Sequence, residues 1–559
     1  MTRLVLIALD GATLDLLQPW MDTGKLPLLA KLFAEGAGGM LNSTVPWATP
    51  TAFASLATGT NPGKHGVYDF GTLIGEDYSA FIPTSGKNVR GKALWERLSE
   101  AGLRSLVVNM PMTYPAPPIN GQVIAGIPYP GQSDQLCHPP DLLAQLREQG
   151  WDLARNASDD LGGNYADYLA GLLDLVETRG AATASLIRQD QPDFVAVHFL
   201  ETDQVQHRFW QFMQGEPRYE AEGPHTDGIL EIFQASEQAM QQIIDAAGPE
   251  ATICIMSDHG FGPTRHQVWL NNWLMQNQFL ALKPNAGVQL KRWLYRAGLS
   301  PAAIREMAPE RIKLAILRFF EQQKGRALAE QHEDADSTVQ RKGMLDHLTE
   351  RLAIDFYDVD WSKTVAFSTG TTAVGYVYIN SVEQHPQGVV SAETRTTIRD
   401  NLINALQQWD AVGQVHTREE IWSGNQLPNA PDLIVRWAAD TTDARYFQTR
   451  FSSHHLMKAV PNDYASHRPN GLFTFHGPNV KQGRVDADLI DLTPTILWLF
   501  DQPVPSVMDG QVLRDCFDRE AAVAFVEEDE EAMAVADGAF SAEEDAALKN
   551  VLRQLGYLE

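Results

Sequence analysis

Apolar and polar positions along this chain fall into two rhythms. Leu4–Leu9 is an unbroken apolar run that ends at Asp10-Gly11, the pattern of a short strand buried on both faces. Similar runs recur at Ser105–Val108, Phe194–Phe199, Thr252–Met256 and Leu433–Val435. Between them the spacing is helical. Pro27–Glu35 sets Leu28, Leu29, Leu32 and Phe33 on one side, and Ala52–Ala57 predicts a helix starting just after Thr49. A strand at Gly375–Asn380 and a helix over Thr394–Trp409 continue the alternation. Buried strands alternating with helices predict an α/β fold with a mainly parallel central sheet flanked by helices. Ligands in such folds collect at the carboxyl ends of strands. Asp10 and Asp258 both stand where a strand ends.

One stretch breaks the pattern. Residues 283–326 carry ten Lys or Arg against three Glu, with helical spacing of Trp293, Leu294, Ile304, Leu314, Ile316, Phe319 and Phe320. We read 275–345 as a helical insertion or cap, either a solvated amphipathic helix pair or a basic surface for an anionic substrate or a membrane face. The catalytic core is then 1–274 and 346–515. Residues 516–559 form a tail, with a solvated acidic run at Glu527–Glu531 and a helix over Ala542–Leu555.

Length and charge narrow the classes. A chain of 559 residues exceeds one simple core. Its formal charge of -27 argues against general nucleic-acid binding. Cys137, Cys254 and Cys516 are dispersed and odd in number, so no disulfide framework is expected and a reducing, cytoplasmic setting fits. The six apolar residues before Asp10 are too few for a secretory core. No run approaches the ~18 apolar residues of a transmembrane helix.

The candidate chemistry lies in separate segments. Asp203 and His207 stand four apart, so on a helix they share a face. Asp258-His259 follows the Thr252–Met256 run, and His467 sits in Ser466-His467-Arg468-Pro469. Together with Asp10 these are the oxygen and nitrogen donors that a divalent metal pair takes. Thr49, in Ala48-Thr49-Pro50-Thr51, precedes a predicted helix N-terminus, whose free N–H groups and dipole suit an anion.

The conjunction of Ala8-Leu9-Asp10-Gly11, Ala57–Gly66, Ser257-Asp258-His259-Gly260-Phe261-Gly262, Ser466–Gly471, Asp491–Thr495 and Met508-Asp509-Gly510 resembles the type I phosphodiesterase/nucleotide pyrophosphatase family of the alkaline phosphatase superfamily. The resemblance runs from Leu4 to about Leu513 and is weakest over 275–345. It implies an alkaline-phosphatase-like α/β sandwich and a hydrolase acting on a small phosphate ester. It also implies two divalent metal ions, one surrounded by Asp10, Thr49, Asp258 and His259 and the other by Asp203, His207 and His467. Zinc suits the mixed Asp/His set; manganese and iron are the other options. Thr49 would be the nucleophile, nine residues before Thr58-Gly59, with Thr51 as the competing hydroxyl and His476 as the competitor of His467.

One position departs from the family. Its phosphate-binding asparagine falls on Phe70, after Asp69, and Asn109 is the nearest replacement. The substrate's leaving group is therefore open. A phosphomonoesterase or phosphomutase of the same superfamily is the alternative activity, although no arginine directly follows Thr49. A sulfatase is disfavoured, because Thr49, Thr51 and Phe53 occupy the places of its Cys or Ser, Pro and Arg. A non-catalytic metal-binding protein would not need the complete donor set.

Overall fold

The computed structural model describes residues 2–74, 80–130, 133–151, 164–300, 353–369, 373–438, 444–447, 453–459, 465–533 and 541–554. Ten strands form the central sheet: β1 (Leu4–Leu9), β2 (Ala37–Asn42), β3 (Ser105–Val108), β4 (Gly121–Ile124), β5 (Cys137–His138), β6 (Phe194–Phe199), β7 (Thr252–Met256), β8 (Asn470–His476), β9 (Gly483–Arg484) and β10 (Ala487–Asp488). Their spatial order is β9-β2-β8-β7-β1-β6-β3-β4-β5, with β10 also beside β2. The five strands from β7 to β4 are parallel, and only β8 and β5 run against the rest.

β1 lies inside this parallel run, between β7 and β6, with Leu4 in register with Phe194 on one side and Thr252 on the other. Val5, Ile7 and Leu9 enter one core and Leu4, Leu6 and Ala8 the opposite one. That is why the run is apolar at every position. Each fully buried aliphatic side chain there contributes about 1.5–3 kcal/mol.

Helices cover both faces. α1 (Thr49–Thr58) and α5 (Leu492–Leu499) pack on one face; α2 (Tyr165–Asp190) and α4 (Gly228–Ala247) pack on the other. α3 (Glu201–Phe209) follows β6 directly. Gly180 lets α2 and α4 meet closely, since a Cβ there would stand 2.5 Å from the Ala239 Cβ.

A second, four-stranded antiparallel sheet joins Ala366–Phe367, Gly375–Ile379, Leu433–Trp437 and Val412–Thr417. The Leu433–Val435 run thus belongs here and not to the parallel sheet. Strand alternation explains its two faces. Leu433, Val435 and Trp437 enter a separate core with Trp273, Trp361, Leu402 and Leu406. Ile434 faces the other way, against Tyr68, Tyr376 and Trp422, with Val45 and Trp47 packed beside them. This second face closes over the segment that leads into α1.

Of the 275–345 stretch, the structure shows a helix at Ala286–Arg296, with Val288 and Tyr295 buried and Leu290 and Trp293 exposed. The part from 301 onward, including Lys313, Leu314, Phe319 and Phe320, lies outside the described residues. The acidic run is not wholly a solvated linker. Glu528 receives a two-pronged ion pair from Arg97 and Glu527 accepts from Ser506. No helix among the described residues is long and apolar enough to cross a membrane.

Candidate active site

The carboxyl ends of β1, β6 and β7 are stapled together. Thr202 Oγ1 donates to the Asp10 carbonyl at 2.7 Å, and the Ala12 N–H donates to Ser257 Oγ at 2.8 Å. Ser257 Oγ in turn donates to the His259 carbonyl at 2.6 Å. Gly11 turns the chain with φ +66°, and a Cβ there would lie 3.0 Å from the Phe261 ring and 3.4 Å from Asp203 Oδ1. Asp10, Asp203, Asp258 and His259 are thereby buried at one place.

α3 carries Asp203 in its first turn and His207 one turn later, with His207 Nε2 3.4 Å from Asp203 Oδ2. His467 arrives on the strand Ala465–Arg468, which pairs with Gly260–Pro263 so that Phe261 faces His467 in register. Its Nε2 lies 3.2 Å from both Asp203 Oδ1 and His207 Nε2. His259 Nε2 lies 3.2 Å from Asp258 Oδ2 and 3.4 Å from both Asp10 Oδ1 and Thr49 Oγ1. The His259 and His467 rings stack with centroids 3.8 Å apart.

The tautomers follow from the outer contacts. His259 Nδ1 faces the Gly260 carbonyl at 3.1 Å, and His467 Nδ1 faces the Trp47 carbonyl at 3.3 Å. A carbonyl only accepts, so each Nδ1 carries a hydrogen, and whenever the ring is neutral its Nε2 lone pair turns inward. This is the arrangement of a metal-binding histidine.

Charge makes the same demand. Burial, then the repulsion of Asp203, pushes the Asp10 carboxyl well above its usual range; burial and Asp10 do the same to Asp258. Burial would also raise Asp203, but His207 and His467 outweigh it and hold it below the carboxylate range. Asp10 Oδ1 and Asp258 Oδ2 have no N–H or hydroxyl donor among the described residues. Three crowded carboxylates, two with such oxygens, fit a bound cation. Asp203, His207 and His467 offer ligand atoms within 4.8 Å of one another, and so do Asp10, Asp203 and His259. Asp203 thus stands in both groups.

Thr49 is the first residue of α1, with Ala48 as the cap, so the helix begins at Thr49 itself and not after it. The Ala57–Gly66 motif holds that helix in place. Ser55 Oγ is 2.7 Å from His65 Nε2, whose Nδ1 accepts from the Val67 N–H. Lys64 and Asn61 both bind Asp509, tying in the Met508-Asp509-Gly510 motif. Neither alternative, Thr51 or His476, hydrogen-bonds to the candidate metal donors among the described residues. Thr51 is buried in α1 with no hydrogen-bond partner for its hydroxyl among the described residues, and His476 sits 3.3 Å from Glu35. Asn109 Nδ2 donates to the His198 carbonyl at 3.1 Å.

A family model of type I phosphodiesterase / nucleotide pyrophosphatase matches residues 4–350. The chain belongs to that family. It is therefore a phosphodiesterase/pyrophosphatase-type hydrolase of the alkaline phosphatase superfamily, in a metal-dependent family. Similar solved structures include phosphonoacetate hydrolase from Sinorhizobium meliloti 1021 in complex with phosphonoacetate, at 16% identity over 88% of this chain and 94% of that one, with TM-score 0.48. Human ectonucleotide pyrophosphatase / phosphodiesterase 5 is 13% identical over 93% of this chain and 100% of that one, with TM-score 0.47. No curated protein matches the chain.

One residue beside the site was not singled out in the sequence. His198, in β6, is fully buried and its Nε2 lies 2.8 Å from Asp10 Oδ2. Its Nδ1 lies 3.1 Å from the Asn109 carbonyl and 3.5 Å from the Asn109 amide nitrogen, so a ring kept neutral by burial, which lowers its pKa to about 3, can accept at Nδ1 and donate from Nε2 to Asp10. The ring holds the outer oxygen of Asp10 and leaves Oδ1 facing His259. Replacing His198 by alanine is expected to weaken metal binding about 10–100-fold, as loss of an outer partner does. His198→Gln, which keeps a donor, should retain more. Chelator competition on the folded variants measures this; unchanged metal affinity in His198→Ala would remove the role.

Proposed function

We propose that this chain cleaves a phosphodiester or pyrophosphate bond in a small ester, with Thr49 as the nucleophile. The observation that carries the reading is convergence. His259 Nε2 lies within 3.4 Å of Thr49 Oγ1, Asp10 Oδ1 and Asp258 Oδ2, and Asp203, His207 and His467 form the neighbouring donor group. These residues would hold two divalent ions, which when bound would activate a hydroxyl and offset charge on the phosphoryl oxygens. Three imidazoles with three carboxylates and a hydroxyl favour zinc over manganese or iron.

The rest of the reaction belongs to the chain's own groups. Thr49, fixed at a helix N-terminus, presents Oγ to phosphorus, while the early amides of α1 face the anion. The bond from Oγ to phosphorus forms as the bond to the leaving group breaks, giving a phosphothreonine. Water then cleaves that ester and restores the hydroxyl. We assign the core to 1–274 and 346–515, the insertion to 275–345 and the tail to 516–559. Three buried free thiols, Cys137, Cys254 and Cys516, support a cytoplasmic location.

The test is hydrolysis of bis-p-nitrophenyl phosphate beside p-nitrophenyl phosphate, before and after chelation and with metal added back. Diesterase activity that disappears on chelation and returns with zinc is expected. A preference for the monoester would transfer the proposal to the phosphomonoesterase alternative. Activity that survives exhaustive chelation would sink the metal assignment.

A further inference from the structure

We infer that the helix Ala286–Arg296 docks the protein onto an anionic lipid surface, a role separate from the reaction proposed above. A helix on the surface of a globular protein turns one apolar face inward and a polar face to water. This helix has two apolar faces. Val288 and Tyr295 are buried, and Tyr295 enters the core of the second sheet. Lys291, at the edge of that side, is tied to Asp358 at 2.8 Å. Ala286, Leu290, Trp293 and Ala297 follow one another at intervals of four, three and four, which puts them in a second stripe on the opposite side. All are exposed, Leu290 by 54% and Trp293 by 61%. Tyr357, beside Asp358 in the chain, is 57% exposed, and Lys283, just before the helix, binds its carbonyl at 2.6 Å. Three of the seven large apolar side chains exposed among the described residues therefore gather around this one helix.

Charge decides what covers the stripe. From His259 to Ser300 there is no Asp or Glu, against Arg265, Lys283, Lys291, Arg292 and Arg296, in a chain with 71 acidic and 44 basic residues. Arg265 is paired with Glu216 and Lys291 with Asp358. Arg292 and Arg296 have no carboxylate partner among the described residues, and they stand four apart, along one flank of the apolar stripe. Tryptophan and leucine with guanidinium groups alongside are what a helix lying in a membrane interface uses. The apolar groups enter the boundary between headgroups and acyl chains, and the arginines reach back to the lipid phosphates. The acidic remainder of the chain does not forbid this, because screening over about 8 Å at physiological salt leaves the local face to dominate. A second copy of the chain fits less well: a two-fold contact on this stripe would bring Arg292 and Arg296 toward their own counterparts. One short helix gives a peripheral, reversible attachment.

The experiment floats the full chain with vesicles of phosphatidylcholine alone and of phosphatidylcholine with phosphatidylserine. It compares the wild type with two double variants, Leu290→Ser with Trp293→Ser and Arg292→Gln with Arg296→Gln. Thermal melting of both variants should match the wild type, which separates lost docking from lost fold. The wild type is expected to float with the phosphatidylserine vesicles, to ignore phosphatidylcholine alone and to be released by rising salt. The arginine variant should partition about 5-fold less for each charge removed, and the apolar variant about 10-fold less or lower. A wild type that binds neither vesicle would overturn the inference, and so would binding that neither variant weakens. A wild-type dimer that becomes monomeric in the apolar variant would give the stripe to a second copy and overturn it as well. Loss of bis-p-nitrophenyl phosphate hydrolysis in the arginine variant with flotation unchanged would make this a substrate surface instead. A wild type that floats as expected but hydrolyses no ester would sink the proposed reaction and leave the docking standing.

Discussion

Thr49→Ala is expected to abolish turnover of bis-p-nitrophenyl phosphate, by at least about 1,000-fold, as removal of a nucleophile does elsewhere. The hydroxyl is buried at the first position of α1 and lies 3.4 Å from His259 Nε2, whose lone pair points toward it. No other hydroxyl is placed this way among the described residues around His259. Thr51, two positions on, is buried on the same helix with no hydrogen-bond partner for its hydroxyl among the described residues, so Thr51→Ala should stay within a few-fold of wild type. Thr49→Ser keeps the attacking oxygen and should retain measurable turnover. The readouts are initial rate and, separately, metal content, since the carboxylates and imidazoles remain in Thr49→Ala. Turnover in Thr49→Ala within tenfold of wild type would remove the nucleophile assignment and leave water as the attacking group.

Much of this fold was legible because its strands are buried on both faces. β1, β3, β6 and β7 are apolar at nearly every position, and each ends where a chemically active residue begins or a turn starts. The candidate donors Asp10 and Asp258 were legible because carboxylates at the ends of such strands have no apolar explanation. The second sheet was harder. Its strands are joined by long-range antiparallel pairing, and Leu433–Val435 looks locally like any other buried strand. His198 was missed because it is a single polar residue inside an apolar run, Phe194–Phe199. Such a residue must find a partner at depth, and sequence alone does not say whether that partner is structural or functional. The signal was present as an interruption of the run. Only the sheet register puts His198 beside Asp10, with Ala8 opposite His198.

Asp203→Ala is expected to empty both donor groups, whereas His207→Ala should weaken only one. The reason is placement. Asp203 Oδ2 faces His207 at 3.4 Å, Oδ1 faces His467 at 3.2 Å, and the same carboxylate lies within 4.8 Å of the ligand atoms of Asp10 and His259. Despite burial, the surrounding imidazoles hold it ionised below the usual carboxylate range, so it supplies a full negative charge between the groups. Asp10 and Asp258 are pushed upward by burial and by their neighbours, which makes them weaker anchors until a cation is present. Losing Asp203 should therefore reduce affinity at both positions by more than the about 100-fold upper figure for an outer partner. His207 is the least buried of the donors and, among the described residues, stands in the Asp203–His467 group and not in the Asp10–His259 one. Equilibrium dialysis with zinc, followed by elemental analysis, separates the two cases: wild type and His207→Ala should differ by one equivalent, and Asp203→Ala should bind near background. If Asp203→Ala instead loses a single equivalent, Asp203 serves one ion, and the Asp10–His259 side holds its own without it.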